Sequence, residues 1–220
     1  MVRQARSEAT RQKIIDAAVE LFSGVGYPDT GLAEIIERAQ MTKGALYYHF
    51  DSKEALAVAI VEEGAAEVLN AFRGVTESAT PALESMIHGS FVVAQLISRS
   101  KVAATAVQLS RALGDFSEAA SRAYEGWLGA MITTARRAGD EGDLREALDP
   151  YAVGEAVSAA MLGSELISNA ISGGHDLPSR LARTWQILLP AVANEESLPY
   201  FREFLARESL RHLQPALTIE

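Results

Sequence analysis

The chain has no cysteine, two tryptophans, seven prolines and no long apolar run in its 220 residues. Without cysteine there can be no disulfide and no thiolate nucleophile or ligand, and the expected compartment is a reducing cytoplasm. No stretch is apolar enough to cross a bilayer, so no membrane partner is expected. The opening, where Arg3 and Arg6 lead into an acid-containing amphipathic segment, does not have the make-up of a secretory signal. Also lacking are a nucleophile elbow, a phosphate loop and paired carboxylates in a recognisable frame. No catalytic residue and no cofactor are therefore expected, and a helical enzyme stays only as a remote alternative. His88, His175 and His212 are scattered, with no second ligand at metal spacing; they read as structural or surface residues, and no metal site is expected.

Positive charge is also in short supply. Twenty Lys and Arg face 29 Asp and Glu, a net charge of -9, which at first argues against a nucleic-acid partner because affinity for DNA is largely phosphate electrostatics. The distribution answers the objection. Arg3, Arg6, Arg11 and Lys13 sit near the start and Lys43 and Lys53 follow, whereas acids accumulate later, as at Glu62-Glu63, Asp140-Glu141 and Glu195-Glu196. A small DNA-reading head on an acidic body fits this pattern.

What the chain does have is helical periodicity. Hydrophobic content is 48% with few β-branched runs, and Ala-, Leu- and Glu-rich segments recur between Gly and Pro punctuation, so the fold is expected to be all-α. A first helix is expected over about Ser7 to Ser23. A second, short one follows from Thr30 as cap through Leu32, Ile35 and Ile36.

The stretch Thr42-Lys43-Gly44-Ala45-Leu46-Tyr47-Tyr48-His49-Phe50 then reads as the second helix of a helix-turn-helix. Thr42 can cap it, and Leu46 and Phe50, four apart, share a buried face. Gly44 and Ala45 carry almost no side chain and permit close approach to a groove wall, while Lys43 is set to reach a base edge or a phosphate. A further helix starts at Asp51 or Ser52 and runs from Lys53 to about Phe72, too long for the head alone. Later helices are expected over about 83–97, 102–113, 115–138, from Asp149-Pro150 to Gly173, from Pro178 to Pro190, which interrupts or ends it, and over 198–213, with 215–220 a loose tail.

Three pieces in order, Thr30-Gly31-Leu32-Ala33-Glu34-Ile35, the 42–50 stretch and Ser52-Lys53-Glu54, make the head strongly resemble TetR-family transcriptional repressors. The resemblance implies a three-helix DNA-binding domain over 1–53 with its recognition helix at about 42–50. A larger helical ligand-binding and dimerisation domain over 54–214 would follow. Carried over by position, it implies phosphate contacts from Thr42, Tyr47 and His49, with Tyr48 on either the DNA backbone or the core. Thr30 joins the DNA-contact candidates, and Arg3, Arg6 and Lys53 would add electrostatic affinity or be merely solvated.

The opening Arg3-Gln4-Ala5-Arg6-Ser7-Glu8-Ala9-Thr10-Arg11, the 42–50 stretch and the position of Trp127 look more particularly like the γ-butyrolactone receptor branch of actinobacteria. That resemblance implies that Trp127 lines a signal pocket. Phe91, Met131 and Trp185 are candidate walls; Gln95, Thr105, Gln108, Thr134, Ser164 and Ser168 are candidate polar anchors. The implied function is a repressor that binds a near-palindromic double-stranded operator as a homodimer. A small hydrophobic signal, of γ-butyrolactone, butenolide or furan type, would release it. A regulator of efflux or lipid metabolism with another hydrophobic effector is the alternative. The dimer seam is expected from Ala156, Ala159, Ala160 and Gly163 packing closely, with Leu181, Trp185 and Leu188 filling it.

Overall fold

A computed structural model describes residues 2–77, 81–114 and 117–213. In order they form helices α1 (Val2–Gly24), α2 (Leu32–Arg38), α3 (Lys43–His49), α4 (Lys53–Thr76), α5 (Ala82–Arg99), α6 (Lys101–Leu113), α7 (Glu118–Asp140), α8 (Pro150–Ser172), α9 (Leu177–Val192) and α10 (Leu198–Leu213). The fold is all-helical; a lone antiparallel bridge, Leu144 to Ala193, is the β pairing found among the described residues.

Side chains that can accept from a backbone N–H mark several starts, as the sequence suggests. Thr42 Oγ1 accepts from Ala45 N at 3.1 Å, Ser52 Oγ from Ala55 N at 3.0 Å, Ser100 Oγ from Ala103 N at 3.1 Å and Asp149 Oδ1 from Tyr151 N at 3.0 Å. Each satisfies one of the orphan donors of a first helical turn.

Other ends differ from expectation. The first helix begins at Val2 rather than near Ser7, and α4 continues through Gly74 to Thr76. Pro190 does not end α9, which runs on to Val192, and the guanidinium of Arg145 donates to the Pro190 carbonyl at 3.1 Å. Helix α7 starts at Glu118; residues 115–116, expected to open it, lie outside the described residues, as does the 215–220 tail.

The chain divides into two compact units, Met1–Glu67 with Ser100–Tyr124, and Val68–Arg99 with Glu125–Glu220. In the first, Ile14, Ile15, Ala18 and Phe22 of α1 pack with Ile35 of α2, Leu46 of α3 and Leu56, Ile60 and Val61 of α4. Leu109 of α6 belongs to the same core. The unit that carries the helix-turn-helix thus extends past residue 53, because Leu56, Ile60 and Val61 of α4 are part of its core. Gly64 sits where α4 crosses α6: a Cβ there would lie 2.4 Å from the Ala106 Cβ.

The second unit buries Phe72, Met86, Ile87, Phe91, Met131, Val157, Leu181, Trp185, Leu189, Phe201 and Leu205 in one cluster. Some of the polar groups inside it are paired with one another. The Trp185 indole donates to Ser90 Oγ at 2.9 Å, and Ser90 in turn donates to the Ile87 carbonyl at 2.6 Å. Gly154 lets α8 approach α7 so closely that a Cβ would fall 2.7 Å from the Ile132 Cα.

Candidate functional site

The head is built from α1, α2 and α3 around a single requirement: α3 must bury Leu46 and show everything else. Leu46 and Phe50 are inside the core, while Lys43, Gly44, Tyr47 and Tyr48 face solvent, Tyr48 at 78% exposure. An aromatic that bare on a seven-residue helix has no packing role. The Lys43 ammonium rests 5.7 Å from the Tyr47 ring centroid, and the Tyr48 ring meets His49 edge to face at 5.0 Å. Ala45 and His49 are half-buried at the margin of the same face. The face therefore presents one cation, two phenols, an imidazole and a bare Gly44, a set able to donate to phosphate oxygens and base edges.

The turn that aims this helix is a Schellman motif. Met41 N–H donates to the Ile36 carbonyl at 3.1 Å and Gln40 N–H to the Glu37 carbonyl at 3.0 Å, with Gln40 itself at φ 54°. That left-handed position usually holds glycine. Helix α2 is capped by Gly31, not Thr30: the Glu34 carboxylate reaches back to accept from Gly31 N–H at 2.8 Å.

Two of the expected contact residues near this face already have partners within the head. Thr30 is buried, and its hydroxyl donates to the Gly26 carbonyl at 2.8 Å, so it does not cap α2. The Lys53 ammonium donates to the carbonyls of Tyr27 (2.9 Å), Pro28 (3.3 Å) and Thr30 (3.0 Å) and lies 4.6 Å from the Tyr27 ring centroid. Its three donors are spent on the α1–α2 loop, and no N–H is left for a phosphate. Burial, then the nearby Glu54 charge, pushes the Tyr27 phenol above its ordinary value, and Glu54 is held below the usual carboxylate range by its own backbone N–H and the Ser52 hydroxyl. Arg6 is exposed on α1; the side chain of Arg3 lies outside the described residues. A cation that sequence reasoning left unassigned is Arg11, whose guanidinium lies 5.5 Å from the Phe50 ring centroid at the end of α3.

In the second unit the candidates for an effector site separate by what their polar atoms already do. Trp185 is fully buried in the core and its indole is satisfied by Ser90. Ser168 Oγ donates to Asp176 Oδ1 at 2.6 Å, as does Ser172 Oγ (2.6 Å), while Arg180 binds the other oxygen, Oδ2, at 2.7 Å; Ser168 thus ties α8 to the start of α9. Those three partners, Arg180 foremost, hold the Asp176 carboxyl far below the usual range. Ser164 shares a hydrogen bond of 3.0 Å with Thr184 Oγ1, and Thr134 donates to the Ala130 carbonyl at 2.9 Å. Phe91 and Met131 are core members, and Gln95 is half-buried on α5.

Trp127 differs from all of these. Its ring packs on Phe72 at 5.1 Å and on the buried cluster, yet its Nε1 is sealed from solvent with no acceptor among the described residues. Ser158 Oγ on α8 is a second buried, unpaired polar atom in this unit, one that sequence reading did not single out. Thr105, whose buried hydroxyl oxygen is likewise unpaired, and Gln108 belong to α6 in the first unit.

The residues expected at a dimer seam differ in exposure. Leu181 faces its own core, whereas α8 exposes Ala156, Ala159, Leu162, Leu166, Ile167 and Ile171, and α9 exposes Ile187 at 75%.

A recognition helix of this make-up, joined to a helical body, defines a DNA-binding regulator. The family model for bacterial regulatory proteins of the tetR family matches residues 14–60. Over 194 residues the chain is 31% identical to the A-factor receptor protein of Streptomyces griseus, covering 88% of this chain and 67% of that one. The protein belongs to the TetR family, which is one of transcriptional regulators and not of enzymes. Among solved structures it is similar to a gamma-butyrolactone receptor described as ArpA-like (TM-score 0.76, 26% identity, 93% of this chain and 99% of that one). It is equally similar to CprB of Streptomyces coelicolor in complex with its operator sequence (TM-score 0.76, 28% identity, 94% and 99%). The chain is thus a TetR-type DNA-binding repressor related to gamma-butyrolactone receptors. No helix among the described residues is long and apolar enough to cross a membrane.

Proposed function

We propose that the protein is a cytoplasmic repressor that binds a near-palindromic operator as a homodimer and lets go when a small γ-butyrolactone, butenolide or furan type signal enters its body. The observation that carries the effector half is the unpaired Trp127 indole. A buried N–H without an acceptor costs about 1–3 kcal/mol, whereas Trp185, in the same unit, has its indole N–H paired with Ser90. An incoming lactone or furan carboxyl oxygen would take the Trp127 N–H while its alkyl chain packs on Phe72 and Met131. The relatives whose names speak of A-factor and gamma-butyrolactone support the same class of ligand.

On the DNA side, Lys43, Tyr47, Tyr48 and His49 contact the duplex, with Thr42, Gly44 and Ala45 at its edge, and Arg6 adds sequence-independent affinity. A head this small reads only a few base pairs, so two are needed about 34–36 Å apart or somewhat more. The apolar stripe along α8, continued by Ile187 of α9, supplies the self-complementary surface for pairing.

The test is fluorescence anisotropy of purified protein on a palindromic operator of the butyrolactone-receptor type, wild type beside Lys43→Ala, with a panel of autoregulators. The proposal requires dimeric binding, at least several-fold weaker binding by Lys43→Ala, and release by one panel member. Binding that no panel member relieves would point to a different hydrophobic effector, such as one of an efflux or lipid regulator. Absence of specific binding would remove the operator assignment.

A further inference from the structure

Helices α5 and α10 bring His88 against two side chains that lie 120 and more residues further along the chain, Glu208 and His212. His88 Nδ1 stands 2.6 Å from Glu208 Oε2, and His212 Nε2 stands 3.5 Å from the same oxygen. All three ligand atoms lie within 4.8 Å of one another. Glu208 and His212 are four residues apart on α10, so one helical face delivers both, and α5 delivers the third.

We propose that His88, Glu208 and His212 bind one divalent transition-metal ion of the zinc class and so pin α10 to α5. An ordinary histidine–carboxylate pair uses one imidazole; here two imidazoles converge on a single carboxylate oxygen. The other oxygen, Oε1, is already taken by Arg211 at 2.6 Å, which fixes the carboxylate plane and leaves Oε2 as the shared vertex. The Glu208 side chain is completely buried, and a buried carboxylate calls for cationic or metal partners. The His212 ring is held by stacking on Phe91, centroids 5.2 Å apart and planes 14° apart, so its Nε2 is aimed before any ion arrives.

The donor set and spacing suit zinc. Two imidazole nitrogens and a carboxylate with one open position is a recurrent zinc arrangement, whereas magnesium and calcium prefer all-oxygen cages. With bonds of about 2.0–2.2 Å, tetrahedral zinc separates its ligand atoms by about 3.4 Å. The His212–Glu208 distance already matches, and His88 has to withdraw by under about 1 Å. It can do so, because its side chain is 38% exposed; that open side is also where the ion would enter and a water would complete the shell. This site is independent of the effector proposal.

The test uses the full chain, stripped with a chelator and then titrated with zinc chloride by calorimetry, with cobalt(II) absorption as the reporter of tetrahedral coordination. Expected are one ion per chain and a melting temperature several degrees higher with zinc than with chelator. His88→Gln and His212→Gln should each weaken binding at least tenfold, and His175→Gln should leave it unchanged. Should His212→Gln fold poorly, the half-exposed His88→Gln decides alone. Sub-stoichiometric uptake, or binding that survives His88→Gln, would overturn the site and leave His88–Glu208–His212 as a plain ion-pair cluster.

Discussion

Gln40 is the one non-glycine residue with positive φ among the described residues, and it sits at the turn that sets the angle between α2 and α3. A side chain in that left-handed region costs roughly 1 kcal/mol, which glycine would not pay. Gln40→Gly should therefore raise stability by about 0.5–1 kcal/mol in urea unfolding, since the two Schellman hydrogen bonds are main-chain and survive; a loss of stability would mean that the Gln40 side chain does something unaccounted for. At this scale the sequence was legible where a residue's partner is local. Thr42 as cap and Leu46 with Phe50 as the buried pair are read directly from spacing. Lys53 and Thr30 were not, because their partners are main-chain carbonyls of a loop whose path no periodicity encodes, and neighbouring Gly31 caps α2 without a side chain to announce it. His88, Glu208 and His212 were invisible for the same reason at longer range: nothing in a linear reading pairs α5 with α10.

Two features of the helices carry their own tests. Where α8 crosses α7, the obstacle to a Cβ at Gly154 is Ile132 main chain, which cannot swing aside as a side chain can. Gly154→Ala should lower stability by about 1–3 kcal/mol, while Gly129→Ala, on α7 with nothing within 4 Å, should be neutral or stabilising. Equal effects at the two sites would contradict the tight crossing. At the α8–α9 junction, Asp176 has a folded pKa depressed below its unfolded value by Arg180, Ser168 and Ser172. Its contribution is then fully present above the unfolded carboxylate pKa of about 3.9 and is lost as pH falls through the folded value. The stability difference between wild type and Asp176→Asn should be constant from pH 7 to about pH 5 and shrink below about pH 4; a difference that does not change with pH would mean that the charge is not what matters. Both features lie at helix contacts, and of the two only the Asp149-Pro150 and Gly173 boundaries of α8 were readable in advance, since caps and C-terminal glycines are local signals and crossings are not.

For the whole molecule, the all-helical architecture and the family were legible because the head carries three ordered motifs between Thr30 and Glu54. The body was not, because small and apolar residues at helical spacing serve a core, a seam and a pocket alike. Trp185 and Trp127 show the ambiguity: the same residue type on two helices of one unit, α9 and α7, one paired with Ser90 and one with its N–H unpaired. In the proposed two-state regulator, effector and operator oppose each other, and linkage requires each to weaken the other by the same factor, typically worth about 1–3 kcal/mol. The most direct measurement is operator release as effector is added, wild type beside Trp127→Phe, which keeps the apolar ring but removes the N–H. The expected result is equal operator affinity for the two proteins without effector, release of wild type, and about a tenfold or greater rise in the effector concentration needed by Trp127→Phe. Release of both proteins at the same effector concentration would contradict the role given to Trp127, and an operator complex indifferent to every butyrolactone, butenolide and furan would contradict the effector class itself.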